Sequence, residues 1–320
     1  MTAAESQIRP APAAQGGGEL LIRRVRFCCG MAVAAAIFWY VGWPVTRPLD
    51  PAGPVSLLLV RQGVVTLAEL LGLAVAASGL AVAICGTGSA DRGPLAIAVG
   101  LAVMGLRGGQ LDGLVMYRLT LPPTDPASLN AFPTWALIAE CWLWMALIAV
   151  GFVVGRWVDG WFGPPPAAGS ADRPLADHTG DVRQGAAALL LTVLVTWAVY
   201  SFAIGEERHA VLKGQIYFAV AVSFLAGGLA AHSFFRSGGR VWAMVAVPIV
   251  AILAYVVGSP SEAAVAAARE SGTYLVLRPI ARPLPLEFAA LGAIGVLIEA
   301  DAMESLRAMF GLPPKEGREG

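Results

Sequence analysis

Charged residues are scarce in this chain. Asp, Glu, Lys and Arg make up 14% of its 320 residues, where a soluble globular domain carries about 25%. That shortage excludes an ordinary cytosolic enzyme, a disordered chain and a nucleic-acid binder. Nor is there an excess of either sign: 22 basic residues balance 22 acidic ones, so no net field draws in an ionic partner. Histidine is nearly absent. His178, His209 and His232 stand far apart, and none has metal-ligand spacing to another. The four cysteines, Cys28, Cys29, Cys85 and Cys141, are too few and too apolar in context for a disulfide framework. Cys28 and Cys29 follow three arginines; we read them as small apolar residues heading a membrane helix, with lipidation as the alternative. The recurrent chemical motifs are missing too. There is no phosphate loop, no His-Glu-x-x-His, no Gly-x-Ser-x-Gly and no Gly-x-Gly-x-x-Gly placed between a strand and a helix. No catalytic residue, cofactor or metal site is expected.

What the chain has in abundance is apolar sequence: 57% of residues are hydrophobic and the mean hydropathy is +0.68. These residues fall in blocks about as long as a bilayer is thick. A span needs ~20 apolar residues because the hydrocarbon layer is ~30 Å deep and a helix rises ~1.5 Å per residue. The expected fold class is all-α, a polytopic transmembrane helix bundle of about eight spans, with six or seven as the alternative count. The segments are Phe27–Val45, Val64–Cys85, Pro94–Tyr117, Thr134–Gly155, Gly185–Ile204, Gly214–Phe235, Val241–Gly258 and Leu286–Glu304. Segments three and eight have short clean runs, Leu95–Leu106 and Phe288–Ile298. For both, the alternative by that measure is a re-entrant or interfacial segment. The first segment ends in Phe38-Trp39-Tyr40 and Trp43-Pro44, too bulky for a signal cleavage site, so we expect it to be retained.

The expected organisation is a disordered tail over 1–22, a first four-span half over 23–155, a flexible linker over 156–184, a second half over 185–310, and a tail over 311–320. Pro164-Pro165-Pro166 marks the linker. An outer strap is expected over 259–285. Within it, Ser261 with Glu262 opens a short surface helix and Gly272 stops it. Placing both termini in the cytoplasm puts thirteen Lys or Arg on the inner side and eight on the outer, with Arg107 inside segment three. The expected location is therefore the plasma (bacterial inner) membrane, multi-pass, with the N-terminus inside.

Charges inside apolar segments are costly, ~2.5–3.5 kcal/mol each near a helix centre. Four stand out: Glu69, Arg107, Asp112 and Glu140. In the expected topology the three acids lie five or six residues from the outer ends of their segments, roughly 7–9 Å deep. Glu69 shares a helical face with Gly72, Ala76, Gly79 and Ala83. Asp112 lies beside the Gly105, Gly109, Gly113 stripe. Small stripes let membrane helices approach closely, so both acids are expected in helix contacts. Arg107 faces away from its glycines, toward another helix or a cavity. One reading is an outward-open polar site that binds a cation or relays protons. The other is an Arg107–acid pair that locks segments two to four together.

Two hydroxyl and small-residue stripes, Thr192, Thr196, Tyr200 and Ser223, Gly227, Ala231, read as packing contacts. His232 reads as interfacial, and Pro248 as a kink. The leading functional expectation is a permease or transport-associated protein. Its rival is a structural or accessory subunit of a larger membrane assembly. An intramembrane enzyme ranks last, for want of a nucleophile. The expected partners are membrane lipids and either membrane proteins or a second copy, with no nucleic acid.

Overall fold

A computed structural model of the chain describes residues 17–48, 53–57, 63–86, 89–122, 131–162, 182–205, 212–235, 239–273, 275 and 277–309. Its helices are α1 (Gly17–Ile37), α2 (Trp43–Thr46), α3 (Gly63–Cys85), α4 (Arg92–Arg107), α5 (Leu111–Thr120) and α6 (Thr134–Phe162). They continue as α7 (Val182–Ile204), α8 (Lys213–Phe234), α9 (Gly239–Gly258), α10 (Glu262–Ser271) and α11 (Pro285–Met309). A π-helical turn, Phe38–Gly42, joins α1 to α2. Among the described residues there is no β-strand, only one isolated parallel bridge between Pro54 and Gly109.

Among the described residues, six helices are long and apolar enough to cross a membrane: Leu21–Thr46, Gly63–Cys85, Thr134–Trp161, Val182–Ile204, Lys213–Phe234 and Val241–Gly258. They match six of the eight expected segments. The other two, α4 and α11, sit at the centre. α4 packs against α1, α3, α6 and α11, while α11 packs against α4, α6, α8 and α9. From Gly93 to Gly105 nearly every α4 residue is buried, and the same holds for α11 from Pro285 to Leu297. A helix ringed by other helices meets no lipid, so it can carry glycines and acids that a lipid-facing helix would expose at a cost.

Three expectations change. Segment three is not one helix: α4 covers 16 residues, roughly 24 Å, and stops before Gly108. α1 starts at Gly17, inside the stretch expected as a disordered tail; residues 1–16 lie outside the described residues. α6 runs on to Phe162, inside the stretch expected as a linker, and there Trp157 and Trp161 meet at a tilt of 48° with centroids 4.4 Å apart. Residues 163–181 and 310–320 lie outside the described residues.

The surface helix forms as its caps dictate. The Ser261 hydroxyl accepts the Ala264 N–H at 3.2 Å, and Gly272 closes α10 at φ +63°, a left-handed conformation suited to glycine. The hydroxyl stripe of α7 packs on the small stripe of α8. A Cβ on Gly227 would lie 2.8 Å from the Thr192 carbonyl oxygen. α4 and α6 meet just as closely, since a Cβ on Gly151 would lie 2.5 Å from Pro94 N and Cα. Backbone cannot turn aside as a side chain can. Gly151→Ala should therefore push α4 from α6 and cost about 1–3 kcal/mol, read as a lower unfolding temperature in detergent. Gly160→Ala, on the same helix with nothing within 4 Å, should not lower that temperature, since alanine suits a helix better than glycine.

Candidate functional site

The site is built where α4 breaks. Gly108 and Gly109 end the helix; Gly108 (ψ 168°) and Gln110 (ψ 169°) are extended, and α5 restarts at Leu111. Glycine is needed at 108 for close approach. The segment Gly53–Leu57 runs against the break, and a Cβ on Gly108 would lie 2.7 Å from Val55 Cγ2. The Gly109 N–H donates to the Gly53 carbonyl at 2.8 Å.

The break takes the Gly109 N–H away from the Gly105 carbonyl, which keeps the Gly108 N–H at 3.2 Å, and the last carbonyls of α4 carry the negative end of the helix dipole. A lysine from another helix takes them. Lys213, the first residue of α8, donates from Nζ to the carbonyls of Gly105 and Gly108 at 2.5 Å each, and of Gly109 at 3.3 Å. A cation at the N-terminus of its own helix is unfavourable, and the α4 carbonyls offset that. The counter-charge is Glu287 in the first turn of α11. Its Oε1 stands 3.4 Å from Lys213 Nζ and has no hydrogen bond of its own, while Oε2 accepts the Leu284 N–H at 2.9 Å. The Glu287 side chain is wholly buried and that of Lys213 is 18% exposed. Above them, Tyr217 of α8 donates to the Ala102 carbonyl at 2.8 Å, in the space that Gly105 leaves.

The strap closes this end of the bundle. Tyr200 of α7 donates to the Ile280 carbonyl and Tyr255 of α9 to the Pro283 carbonyl, both at 2.8 Å. Phe288 lies edge-on to both rings, with centroids 5.6 Å away. Leu277, Ala281 and Leu284 are fully buried beneath.

The four residues singled out from sequence do not meet. Glu69 is exposed. The buried face of α3 is Thr66, Leu70, Ala74, Ala77, Ser78 and Ala81, and a Cβ on Gly72 would meet nothing within 4 Å. The stripe from Glu69 to Ala83 therefore lies largely on the outside of the bundle. Arg107 is also exposed, and it does face away from its glycines, toward the π turn. Pro44 has no N–H, and the Trp43 N–H bonds to Phe38, so the Trp39 carbonyl lacks both of its helical donors. Arg107 Nη1 supplies one at 2.7 Å, and its guanidinium lies 4.6 Å and 4.9 Å from the Trp39 and Trp43 ring centroids. In place of the Arg107–acid pair expected to lock segments two to four together, the structure has an arginine–tryptophan contact.

Asp112 and Glu140 flank the break. Asp112 Oδ2 lies 3.9 Å from Arg282 Nε of the strap. Glu140 is buried and receives three donors: the Ser56 hydroxyl (2.8 Å), the Leu57 N–H (2.8 Å) and Trp144 Nε1–H (3.0 Å). It ties the Gly53–Leu57 segment to α6. Lys213 and Glu287 were missed because each sits at a segment edge, where a charge draws no notice. The available signal was Pro285-Leu286-Glu287, a helix start that carries an acid into an apolar run.

At the far end of the same helix pair, His232 Nδ1 of α8 lies 2.8 Å from Glu299 Oε1 of α11. His232 is therefore paired with a buried acid, not simply interfacial. Among the described residues, no group of three or more His, Cys, Asp or Glu has the arrangement to hold a metal ion.

Six helices long and apolar enough to cross a membrane, counted among the described residues, mark a multi-pass membrane protein. Compared with known protein families, with characterised proteins and with solved structures, the chain matches none.

Proposed function

We propose that this chain is a transport-associated protein of permease type, with its working site at the α4–α5 break. The observation that carries the reading is the ammonium of Lys213 set on three carbonyls, one from the last turn of α4 and two from the unwound break, beside the buried Glu287. Buried charges and irregular backbone at the closed end of an apolar bundle are expensive, and membrane proteins keep them chiefly where ions or substrates pass. Discontinuous helices whose carbonyl ends face a cation are a recurrent form of such a site. In this reading Asp112 and Glu140 frame the site and hold the strap and the Gly53–Leu57 segment over it. Glu69 and Arg107 stand apart from it. The arginines ahead of the first span favour a cytoplasmic N-terminus in a bacterial inner membrane, which turns the strap face outward.

The test is flux. Reconstituted in vesicles, the wild type should collapse an imposed proton or sodium gradient faster than protein-free vesicles do, and Glu287→Gln should fall to the protein-free rate. A wild type no faster than protein-free vesicles under either gradient overturns the reading.

An accessory role in a larger membrane assembly is the second reading. The exposed face of Glu69, Gly72, Ala76 and Ala83 favours it, because small residues suit the approach of a partner helix. A stable partner retained through purification in mild detergent would support it, and a lone monomer would count against it.

A further inference from the structure

The ammonium of Lys213 shows what the α4–α5 break is built to hold. Three backbone carbonyls, those of Gly105, Gly108 and Gly109, converge on one point with a carboxylate oxygen of Glu287 at 3.4 Å from it. Four oxygens around a positive charge make a cation site, and here the occupant is tethered. We propose that this cage is a monovalent-cation site for which Lys213 is the resident competitor, so that a small cation enters only as the ammonium leaves. The proposal deepens the transport reading by naming the ligand class, and it rests on that reading for its purpose though not for its chemistry.

Charge balance sets the valence. The carbonyls are neutral and Glu287 brings one negative charge, so one positive charge leaves the buried cage neutral. A divalent ion would leave an uncompensated charge among fully buried neighbours, and calcium in particular takes six to eight oxygen ligands. Two features of the occupant suit exchange. Lysine carries its charge on a flexible four-carbon stem, and Lys213 stands at the first position of α8, with its side chain still 18% exposed. It can swing out without moving a helix. The carboxylate cannot follow, because Glu287 is held by the Leu284 N–H and sealed by the strap. Tyr217 donates to Ala102 rather than into the cage, which keeps that wall in place when the ammonium leaves.

The test is equilibrium binding in detergent, with the full chain and no flux measurement. Lys213→Met keeps the stem and removes the charge. Its unfolding temperature should rise by about 2 °C when sodium, potassium or methylammonium chloride replaces N-methylglucamine chloride at equal ionic strength, the shift expected near ten times Kd. Lys213→Met combined with Glu287→Gln should lose that rise. A Lys213→Met protein that responds alike to all four salts overturns the proposal. Should Lys213→Met not fold, wild-type protein decides. Acetylation of Lys213 by a water-soluble amine reagent, followed by mass spectrometry, should increase severalfold in sodium or potassium over N-methylglucamine. Acetylation that ignores the cation overturns the proposal. Binding without flux would remove the transport reading and keep the site; flux without cation discrimination would do the reverse.

Discussion

Glu140→Ala should destabilise the protein by about 3 kcal/mol, because three donors lose one acceptor group at once. Leaving a buried donor without a partner costs about 1–3 kcal/mol, and bonds to a charged acceptor sit at the upper end. The Ser56 hydroxyl and the Trp144 indole are both buried. Part of the loss is returned, since the variant no longer desolvates a carboxylate, which is why the sum of three bonds overstates the effect. Glu140→Gln should be far milder. Its carbonyl oxygen still accepts from Leu57 or Trp144, and its amide faces a Ser56 hydroxyl that can turn to accept. Thermal unfolding in detergent checks the order: Ala well below Gln, and Gln below wild type. Glu69→Ala, on the exposed face of α3, should match wild type. If Glu140→Ala matches it too, Glu140 does not tie the Gly53–Leu57 segment to α6.

That contrast between two glutamates shows what the sequence carried and what it did not. Six spans were legible because the signal is compositional: a run of ~20 apolar residues needs no knowledge of its neighbours. The α10 helix was legible because its caps, Ser261 and Gly272, act on their own backbone. The face of α3 was not. Glu69, Gly72, Ala76, Gly79 and Ala83 fit a helical stripe, but so do Thr66, Leu70, Ala74, Ala77 and Ala81, which are the buried ones. When a helix is small and apolar on most sides, periodicity cannot choose between them. The break in segment three was half legible. Its short run raised the doubt, yet Gly105, Gly109 and Gly113 read equally as a packing stripe. Long-range partners were not legible at all. Lys213 reaches carbonyls more than a hundred residues earlier in the chain, and those acceptors belong to backbone that no side chain announces. Arg107 finds the Trp39 carbonyl only because Pro44 leaves it free.

Removing one partner of the Lys213–Glu287 pair should cost more than removing both. Lys213→Met, measured in N-methylglucamine so that no small cation fills the cage, strands a buried carboxylate and should cost about 3–5 kcal/mol, the usual range when one side of a buried ion pair is deleted. Glu287→Gln strands the ammonium, but that group keeps its three carbonyl acceptors and its partial exposure, so its loss should be smaller. In the protein with both Lys213→Met and Glu287→Gln no charge remains to be desolvated. The Gly105 carbonyl still accepts the Gly108 N–H, and the Leu284 N–H still has an amide oxygen to bond. The double variant should therefore be more stable than Lys213→Met alone, with an interaction term within the 0.5–3 kcal/mol seen for contacting pairs. Unfolding temperatures of the four proteins in one detergent and one buffer close the cycle. If the two single losses simply add, the ammonium and the carboxylate do not feel each other across 3.4 Å. The carbonyl cage would then be scaffolding at the end of a broken helix, with no charge of its own to exchange.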